Sequence, residues 1–140
     1  MDPWELGAAG ERYVAGELAA RGIPVVGGGP ADLLIYGDTP IEVKTARLTA
    51  YHRNRQPGYQ FCIHRQERNG PQAEFLVLVC WNGAPQSHDC FVVPRSEIRG
   101  QRKLCIPRSP ADYDGQWKKW LNDWGMLKVK ESPTGRGEEN

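Results

Sequence analysis

The first apolar pattern along the chain predicts an α-helix. Residues 3–21 are rich in Ala, Glu and Leu, with Asp2 before them as a candidate cap and Gly22 after them. A proline in the first turn and a glycine after the last turn are typical of helix ends. Val14 and Leu18 define the apolar stripe of this predicted helix.

Glu11 falls on the same stripe, three residues before Val14 and seven before Leu18. Charged side chains rarely point toward a core without a partner. The pattern therefore marks Glu11 as a candidate for a polar site beneath the helix.

Two short extended segments, residues 31–36 and 40–45, are separated by a Gly-Asp-Thr turn and predict a β-hairpin. Pairing that is symmetrical about this turn places Asp32 opposite Lys44. Since side chains alternate along a strand, Asp32, Glu42 and Lys44 then project from one face of the sheet. A register slip of one residue would separate them.

Later apolar segments predict further strands. The run from Phe75 to Trp81 is continuously apolar and is expected to be the central strand. Other strands are predicted at residues 59–64, 89–93 and 103–106, with a helical turn at 95–98. This order of elements predicts an α/β or α+β fold.

A Trp-rich helix is predicted at about residues 110–124, with Trp117, Trp120 and Trp124 at i, i+3 and i+7. Aromatic side chains at helical spacing usually pack inward. The stripe is therefore interpreted as a core element or a subunit contact, ahead of a platform for stacking bases.

Length and composition favour one domain without a membrane helix. The 140 residues, 39% apolar and 25% charged, fit one globular domain at residues 1–130, with a disordered polar tail at 131–140. The longest apolar run, residues 75–81, is too short to cross a bilayer. The acidic start, Met1–Glu5, does not resemble a signal peptide, so a cytoplasmic location is expected.

The cysteines carry no metal-binding pattern. They are isolated among apolar residues, without a CxxC or a Cys/His spacing that suits zinc. We expect all four to be buried thiols: Cys62, Cys80, Cys90 and Cys105.

The formal net charge of +1 conceals a division along the chain. Residues 1–43 contain seven acidic and two basic side chains, whereas residues 44–68 contain six basic and one acidic, with His52 and His64 in addition. A basic block beside an acidic one predicts a polyanion held next to a cation site. A solvated loop with scattered arginines is the alternative.

The acidic side is where chemistry is expected. The like charges of Asp32 and Glu42 repel unless a cation lies between them, and all-oxygen ligands select Mg²⁺ or Mn²⁺. The backbone carbonyl of Val43 is a third candidate ligand, and a metal-activated water could then hydrolyse a phosphodiester. Lys44 is placed to stabilise the transition state, and Glu11 to complete the shell through water or to bind a second ion. A Glu-x-Lys pair on a solvated hairpin is the alternative.

These motifs resemble the PD-(D/E)xK nuclease superfamily, the fold of restriction endonucleases and Holliday-junction resolvases. Pro30-Ala31-Asp32 is similar to its PD motif, and Glu42-Val43-Lys44 to its (E/Q)xK strand. Gly10-Glu11-Arg12 resembles part of its first helix. The later segments 75–79 and 91–94 resemble the bacterial and phage branch that contains group I intron homing endonucleases.

The resemblance spans about residues 7–107 and leaves the Trp-rich segment outside it. It implies a restriction-endonuclease-like core with a central mixed sheet flanked by helices. It also implies a Mg²⁺-dependent DNA endonuclease with its active site at Glu11, Asp32, Glu42 and Lys44.

The basic segment after the hairpin is the predicted DNA surface. Arg47, Arg53 and Arg55 are candidate phosphate contacts, with His52 as a secondary candidate. A small nuclease seldom covers a long site alone, so a homo-oligomer, a dimer or tetramer, is expected. The predicted Trp-rich helix is the candidate interface.

Other functions stay open at this point. The same residues could belong to a non-catalytic nucleic-acid-binding or assembly domain, or to an interaction module dominated by the Trp-rich helix. Within the enzyme hypothesis, a Holliday-junction resolvase and a homing or restriction-type endonuclease are both compatible, because fold does not determine the substrate.

Overall fold

The computed structural model describes residues 1–27, 31–50, 56–63, 73–83, 87–98 and 103–128. Within these ranges one long helix and seven strands are joined by 3₁₀ turns and one short helix. The elements are α1 (Pro3–Ala20), β1 (Val25–Gly27), β2 (Leu33–Ile35), β3 (Thr39–Arg47), β4 (Gly58–Cys62), β5 (Phe75–Trp81), β6 (Asp89–Pro94), β7 (Lys103–Pro107) and α2 (Gly125–Lys128).

The strands form two sheets. The larger has five strands in the order β1-β2-β3-β5-β6, and β4 pairs with β7 in a second sheet. The β3–β5 pair is parallel and the other pairs of the large sheet are antiparallel. The predicted α+β class with a mixed central sheet is confirmed. The expectation that residues 75–81 form the central strand needs one correction, because β5 is an interior strand but β3 holds the middle position.

The two faces of the large sheet are covered by different elements. Val14 and Leu18 of α1 pack with Ile41 and Val43 of β3 on one face. The β4–β7 sheet covers the other face and packs against the alternate residues of β5 and β6. Consequently the odd-numbered positions of β3 face α1, and its even-numbered positions face away from the helix.

The ends of α1 agree with the sequence prediction. The Asp2 carboxylate accepts a hydrogen bond from the Glu5 N–H at 2.8 Å, and the Glu5 carboxylate accepts one from the Asp2 N–H at 2.9 Å. This reciprocal capping box satisfies N–H groups that have no partner within the helix. The helix ends before Gly22, whose φ of +78° suits the left-handed conformation after a last turn.

The hairpin of β2 and β3 forms with a register two residues from the predicted one. Leu33 pairs with Ile41, so the turn is centred on Gly37 and not on Asp38. Tyr36 and Gly37 both have positive φ, which is the requirement of a type I′ turn. A shift by two keeps every side chain on its predicted face, because alternation along a strand has period two.

The predicted helix at residues 110–124 is wrong. Residues 110–124 contain 3₁₀ turns at Pro110–Asp112 and Lys118–Trp120, and the short helix α2 begins only after them, at Gly125. Between the second turn and α2, Leu121 forms an isolated antiparallel β-bridge with Phe91 of β6, and Asn122 takes a positive φ of 53°. The Asn122 N–H donates to the Cys90 carbonyl at 2.6 Å, and its side-chain oxygen accepts from the Cys90 N–H at 2.9 Å.

The tryptophans of this segment consequently lie on both sides of the large sheet. Trp117 and Trp120 pack with the β4–β7 layer, whereas Trp124 packs with the α1 layer. Each is at most 9% exposed. The prediction that these residues form the subunit interface is therefore wrong, because their side chains are buried in the core of a single chain. The oligomer itself stays a prediction.

The thiols divide by burial. Cys80 and Cys90 are buried, and burial raises the pKa of the Cys90 thiol well above its ordinary value. Cys105 is half-buried and Cys62 is exposed, so the expectation of four buried thiols is wrong at Cys62, which lies at the end of β4. All four are free. No helix within the described ranges is long and apolar enough to cross a membrane.

Candidate active site

The strand β3 presents two of the predicted site residues on one face. Glu42 and Lys44 are both half-buried and occupy even-numbered positions, on the side of the sheet away from α1. The positive charge of Lys44 lowers the pKa of Glu42, which places the two side chains within electrostatic reach. The predicted Glu-x-Lys pair therefore forms as a pair of neighbours.

Asp32 lies immediately before β2, where pairing with β3 stops. Continuing the register by one step from Leu33 and Ile41 brings Asp32 level with Glu42. The backbone N–H of Val43 donates to Asp32 Oδ2 at 2.8 Å. A side chain thus takes the place of a strand partner for Val43, which fixes the Asp32 carboxylate at the edge of β3.

The same hydrogen bond fixes the direction of the Val43 carbonyl. In an extended strand the N–H and C=O of one residue point to the same edge. Since the Val43 N–H points to Asp32, its carbonyl points to that side of β3 too. This oxygen therefore joins the edge at which Asp32 and Glu42 meet.

Helix α1 approaches this edge from the opposite face of the sheet. A Cβ at Gly10 would overlap the hydroxyl of Thr45 on β3, so the helix packs at a distance that only glycine permits. The next residue, Glu11, is half-buried, and burial, followed by the charge and hydrogen bonding of Asp32, raises its pKa. Close packing at Gly10 is what brings Glu11 to Asp32.

Gly10→Ala is expected to push α1 away from β3 and to lower the free energy of unfolding by about 1–3 kcal/mol. The control is Gly16→Ala in the same helix, where a Cβ meets no atom within 4 Å. That change is expected to stabilise the protein by about 0.5–1 kcal/mol, because alanine has the higher helix propensity. Urea unfolding followed by circular dichroism measures both. Equal effects of the two substitutions would show that the contact with Thr45 is unimportant.

The carboxyl groups of the site carry an excess of negative charge. Burial is the largest cause that raises the pKa of Glu42, to about 7, followed by the charge of Asp32 and a hydrogen bond to it, while Lys44 opposes the shift. Burial and then Asp32 likewise raise the pKa of Glu11. Asp32 is therefore the common neighbour of two carboxyl groups that reach it from opposite faces of the sheet.

Without divalent cation, the free energy of unfolding is expected to fall as pH rises from about 4.5 to about 7. The pKa of Glu42 is raised from 4.5 to about 7 in the folded state, so the folded protein retains a proton that the unfolded chain releases. The stabilisation is complete below the unfolded pKa and is lost through the folded one. Thermal unfolding of the wild type and Glu42→Gln across this pH range measures the effect.

Glutamine at position 42 cannot ionise, so the free energy of unfolding of Glu42→Gln is expected to fall less between pH 4.5 and 7. Adding Mg²⁺ at pH 8 is expected to raise the Tm of the wild type more than that of Glu42→Gln, because a cation that binds the folded state stabilises it. Parallel pH curves for the two proteins would contradict the assigned role of Glu42.

The donor set suits a hard cation. Among the residues that the structure describes, no group of three or more His, Cys, Asp and Glu side chains is gathered closely enough to hold a metal ion. The set that fits is smaller: the carboxylates of Asp32 and Glu42 with the carbonyl of Val43. These are oxygen ligands, which Mg²⁺ and Mn²⁺ prefer, and Mg²⁺ commonly keeps several waters beside few protein ligands.

The predicted DNA contacts are described only in part. Arg47 is exposed at the end of β3, and its guanidinium donates to the Met1 carbonyl at 2.7 Å. His52, Arg53 and Arg55 lie outside the described residues, as does Pro30 of the predicted PD motif. Most of the basic segment therefore stays a prediction. The four residues of the predicted catalytic centre, in contrast, lie close together.

Two residues that shape the site were not singled out as such from the sequence. Gly10 sets the approach of α1, and Thr45 is the residue it meets; the Thr45 hydroxyl is buried and has no hydrogen-bond partner among the described residues. A glycine in a helix interior is costly relative to alanine. A glycine at this position of the helix was therefore the sequence signal that a strand packs closely against it.

The fold of this chain has a counterpart among proteins of known structure. No protein-family model matches the chain, and no curated protein is similar to it in sequence. Its fold is similar to that of a bacterial homing endonuclease of known structure, with a TM-score of 0.68 over 92% of this chain and 93% of that chain. That protein is I-Ssp6803I, at 13% sequence identity. A similarity at this level of identity shows a shared fold.

Proposed function

We propose that this protein is a Mg²⁺-dependent DNA endonuclease with its active site at Glu11, Asp32, Glu42 and Lys44. The observation that carries the proposal is that Asp32 lies close to both Glu42 and Glu11, next to β3 at the point where its pairing with β2 stops. Lys44 is beside Glu42. The similarity of fold to a homing endonuclease supports the choice of DNA as the substrate.

Asp32, Glu42 and the Val43 carbonyl would hold the cation, Mg²⁺ or Mn²⁺ as its substitute. When bound, the cation supplies an activated water and neutralises charge on the scissile phosphate. The raised pKa of Glu42 supports this assignment, because a nearby cation would offset the burial and the charge of Asp32 that raise it.

The protein groups have separate tasks. The Val43 N–H holds the Asp32 carboxylate in one orientation. Lys44 extends from the same face as Glu42 and would donate to a phosphate oxygen as negative charge develops on it. Glu11 reaches Asp32 from α1 and would act through a bound water or a second ion. The attacking water would release its proton to solvent or to a substrate phosphate.

Arg47 lies on the same strand as the catalytic residues, three positions after Lys44, and is exposed. We assign it to phosphate contact with Arg53, Arg55 and His52. Such contacts give sequence-independent affinity that falls steeply as salt rises. Their arrangement selects the DNA, and with it the biological class of endonuclease.

Cleavage of a panel of DNA substrates tests the proposal. Supercoiled plasmid, linear duplex and a synthetic four-way junction are incubated with the wild type and Lys44→Ala in Mg²⁺, Mn²⁺, Ca²⁺ or EDTA. We expect cleavage with Mg²⁺ or Mn²⁺ only, and a rate about 100- to 1000-fold lower for Lys44→Ala. Lys118→Ala is the control, since Lys118 is exposed on a 3₁₀ turn of the Trp-rich segment.

The preferred substrate would distinguish a junction resolvase from a homing or restriction-type enzyme. DNA binding without cleavage under any cation would replace the proposal with a non-catalytic nucleic-acid-binding domain. Equal rates for the wild type and Lys44→Ala would remove Lys44 from the active site.

A further inference from the structure

Trp4 is the most exposed large apolar side chain among the described residues, at 86% exposure. It precedes Glu11 by seven residues, so both lie on one stripe of α1, about 10 Å apart along the helix axis. Farther along the same stripe, Leu18 is fully buried. Along this stripe the exposure of the side chains therefore falls from Trp4 through the half-buried Glu11 to the buried Leu18.

A surface groove of about 380 Å³ lies beside Trp4 and is lined by Met1, Trp4, Glu5, Ala8 and Arg12. Arg47 borders the same end of the helix, because its guanidinium donates to the Met1 carbonyl. The Glu5 carboxylate is turned back onto the Asp2 N–H. The groove therefore combines an exposed indole with the Arg12 guanidinium, and the Arg47 guanidinium lies next to it at Met1. The Glu5 carboxylate that lines the groove is engaged in the helix cap.

We propose that this groove, which we call the Trp4 groove, binds the DNA strand next to the scissile phosphate, with Trp4 stacked on an unpaired base. The proposal rests on the nuclease function above. Arg12 and Arg47 contact the phosphates of that strand. Aromatic side chains beside cationic groups are the combination by which proteins bind single-stranded nucleic acid.

The dimensions agree with this assignment. The separation of Trp4 and Glu11 along α1, about 10 Å, equals about three base steps of stacked DNA. A strand running parallel to α1 would therefore span the two residues in about three nucleotides. Trp4 also lies outside both apolar clusters of the core, so its position is not required for packing.

The charge of the groove favours nucleic acid over a second copy of this chain. Two copies meeting symmetrically at Trp4 would bring their Arg12 and Arg47 side chains together, and like charges brought together repel. A polyanion instead pairs with both arginines. The preferred substrate is thus DNA with unpaired bases beside the cut, such as a fork or flap.

The test uses the Lys44→Ala protein, which is expected to bind DNA without cutting it, in Ca²⁺. Fluorescence anisotropy gives the Kd for a labelled fork with an unpaired strand and for a fully paired duplex of the same length. Adding Trp4→Ala is expected to weaken binding to the fork about tenfold or more and binding to the duplex less than threefold. Trp4→Phe, which keeps an aromatic ring, is expected to retain most of the affinity.

The control is Val26→Ala, because Val26 is an exposed apolar side chain on β1. It should leave both Kd values unchanged. Tryptophan emission should fall when the fork binds, and the fall should be smaller with Trp4→Phe.

Unchanged Kd values for Trp4→Ala, or equal weakening for fork and duplex, would overturn the proposal while leaving the nuclease function intact. A change of oligomeric state in Trp4→Ala, seen by light scattering, would assign the groove to a second copy of the chain. If the Lys44→Ala protein binds no DNA and the wild type cuts none, the proposed function fails together with this inference.

Discussion

Replacing Asp32 with asparagine is expected to lower the rate of DNA cleavage by about a thousandfold or more, which is about 4 kcal/mol of transition-state stabilisation. Asparagine keeps an oxygen that can accept the Val43 N–H, so the hairpin is retained. It removes the negative charge that the proposed cation needs. The loss should therefore appear in chemistry and in cation binding, with an unchanged circular dichroism spectrum.

The same substitution carries a second readout. The charge of Asp32 is among the causes that raise the pKa of Glu42 and of Glu11. With asparagine at position 32 the pKa of both groups should move toward its ordinary value, and the fall of stability between pH 4.5 and 7 should become shallower.

Asp112→Asn is the matched control, because Asp112 is exposed in a 3₁₀ turn of the Trp-rich segment. Calorimetric titration with Mn²⁺ and single-turnover cleavage compare the two variants with the wild type. Wild-type rates in Asp32→Asn would show that the carboxylate at the edge of β3 is not catalytic.

Trp117→Ala is expected to lower the free energy of unfolding by about 3–5 kcal/mol. Trp117 is fully buried and packs with Trp120 and the β4–β7 layer. A cavity of this size, in a domain whose total stability is expected to be about 5–15 kcal/mol, removes a large share of it. Urea unfolding followed by far-UV circular dichroism measures the change.

The matched control for this experiment is Trp4→Ala, the same substitution at an exposed position, which should change the free energy of unfolding by less than about 0.5 kcal/mol. A small effect at Trp117 together with a loss of oligomer would restore the predicted subunit interface at the Trp-rich segment.

The hairpin shows how far the sequence alone could lead to the site. Side-chain alternation was sufficient to place Glu42 and Lys44 on one face, because the error of two residues in register leaves the faces unchanged. The turn itself was misplaced, because Tyr36 takes a positive φ that is uncommon for a residue other than glycine. No sequence pattern showed that Asp32 would cap the Val43 N–H where β2 ends.

The Trp-rich segment shows why periodicity can fail. The spacing of its tryptophans suits a helix, yet the chain crosses the edge of β6 at Leu121 and Asn122 and satisfies the backbone of Cys90 there. The stabilisation from these hydrogen bonds depends on an unpaired edge of β6, which is distant in sequence and does not appear in a local pattern. Gly115 and Asn122, both poor helix formers, were the local signals against a helix.

The position of α1 was predictable only in part. Its cap at Asp2 and its inward stripe follow from the sequence. The contribution of Glu11 from the opposite side of the sheet depends on the close approach of Gly10 to Thr45, and hence on which face of the sheet the helix covers.

The most direct measurement is the initial rate of supercoiled-plasmid cleavage against Mg²⁺ concentration at pH 8, for the wild type and for Glu42→Ala. Metal-dependent catalysis at Asp32, Glu42 and the Val43 carbonyl predicts a saturable rise in rate for the wild type and complete loss in EDTA. It also predicts a rate at least about 100-fold lower for Glu42→Ala, which has no side-chain oxygen to bind the cation. Cleavage that persists in EDTA, or equal Mg²⁺ curves for the two proteins, would contradict it.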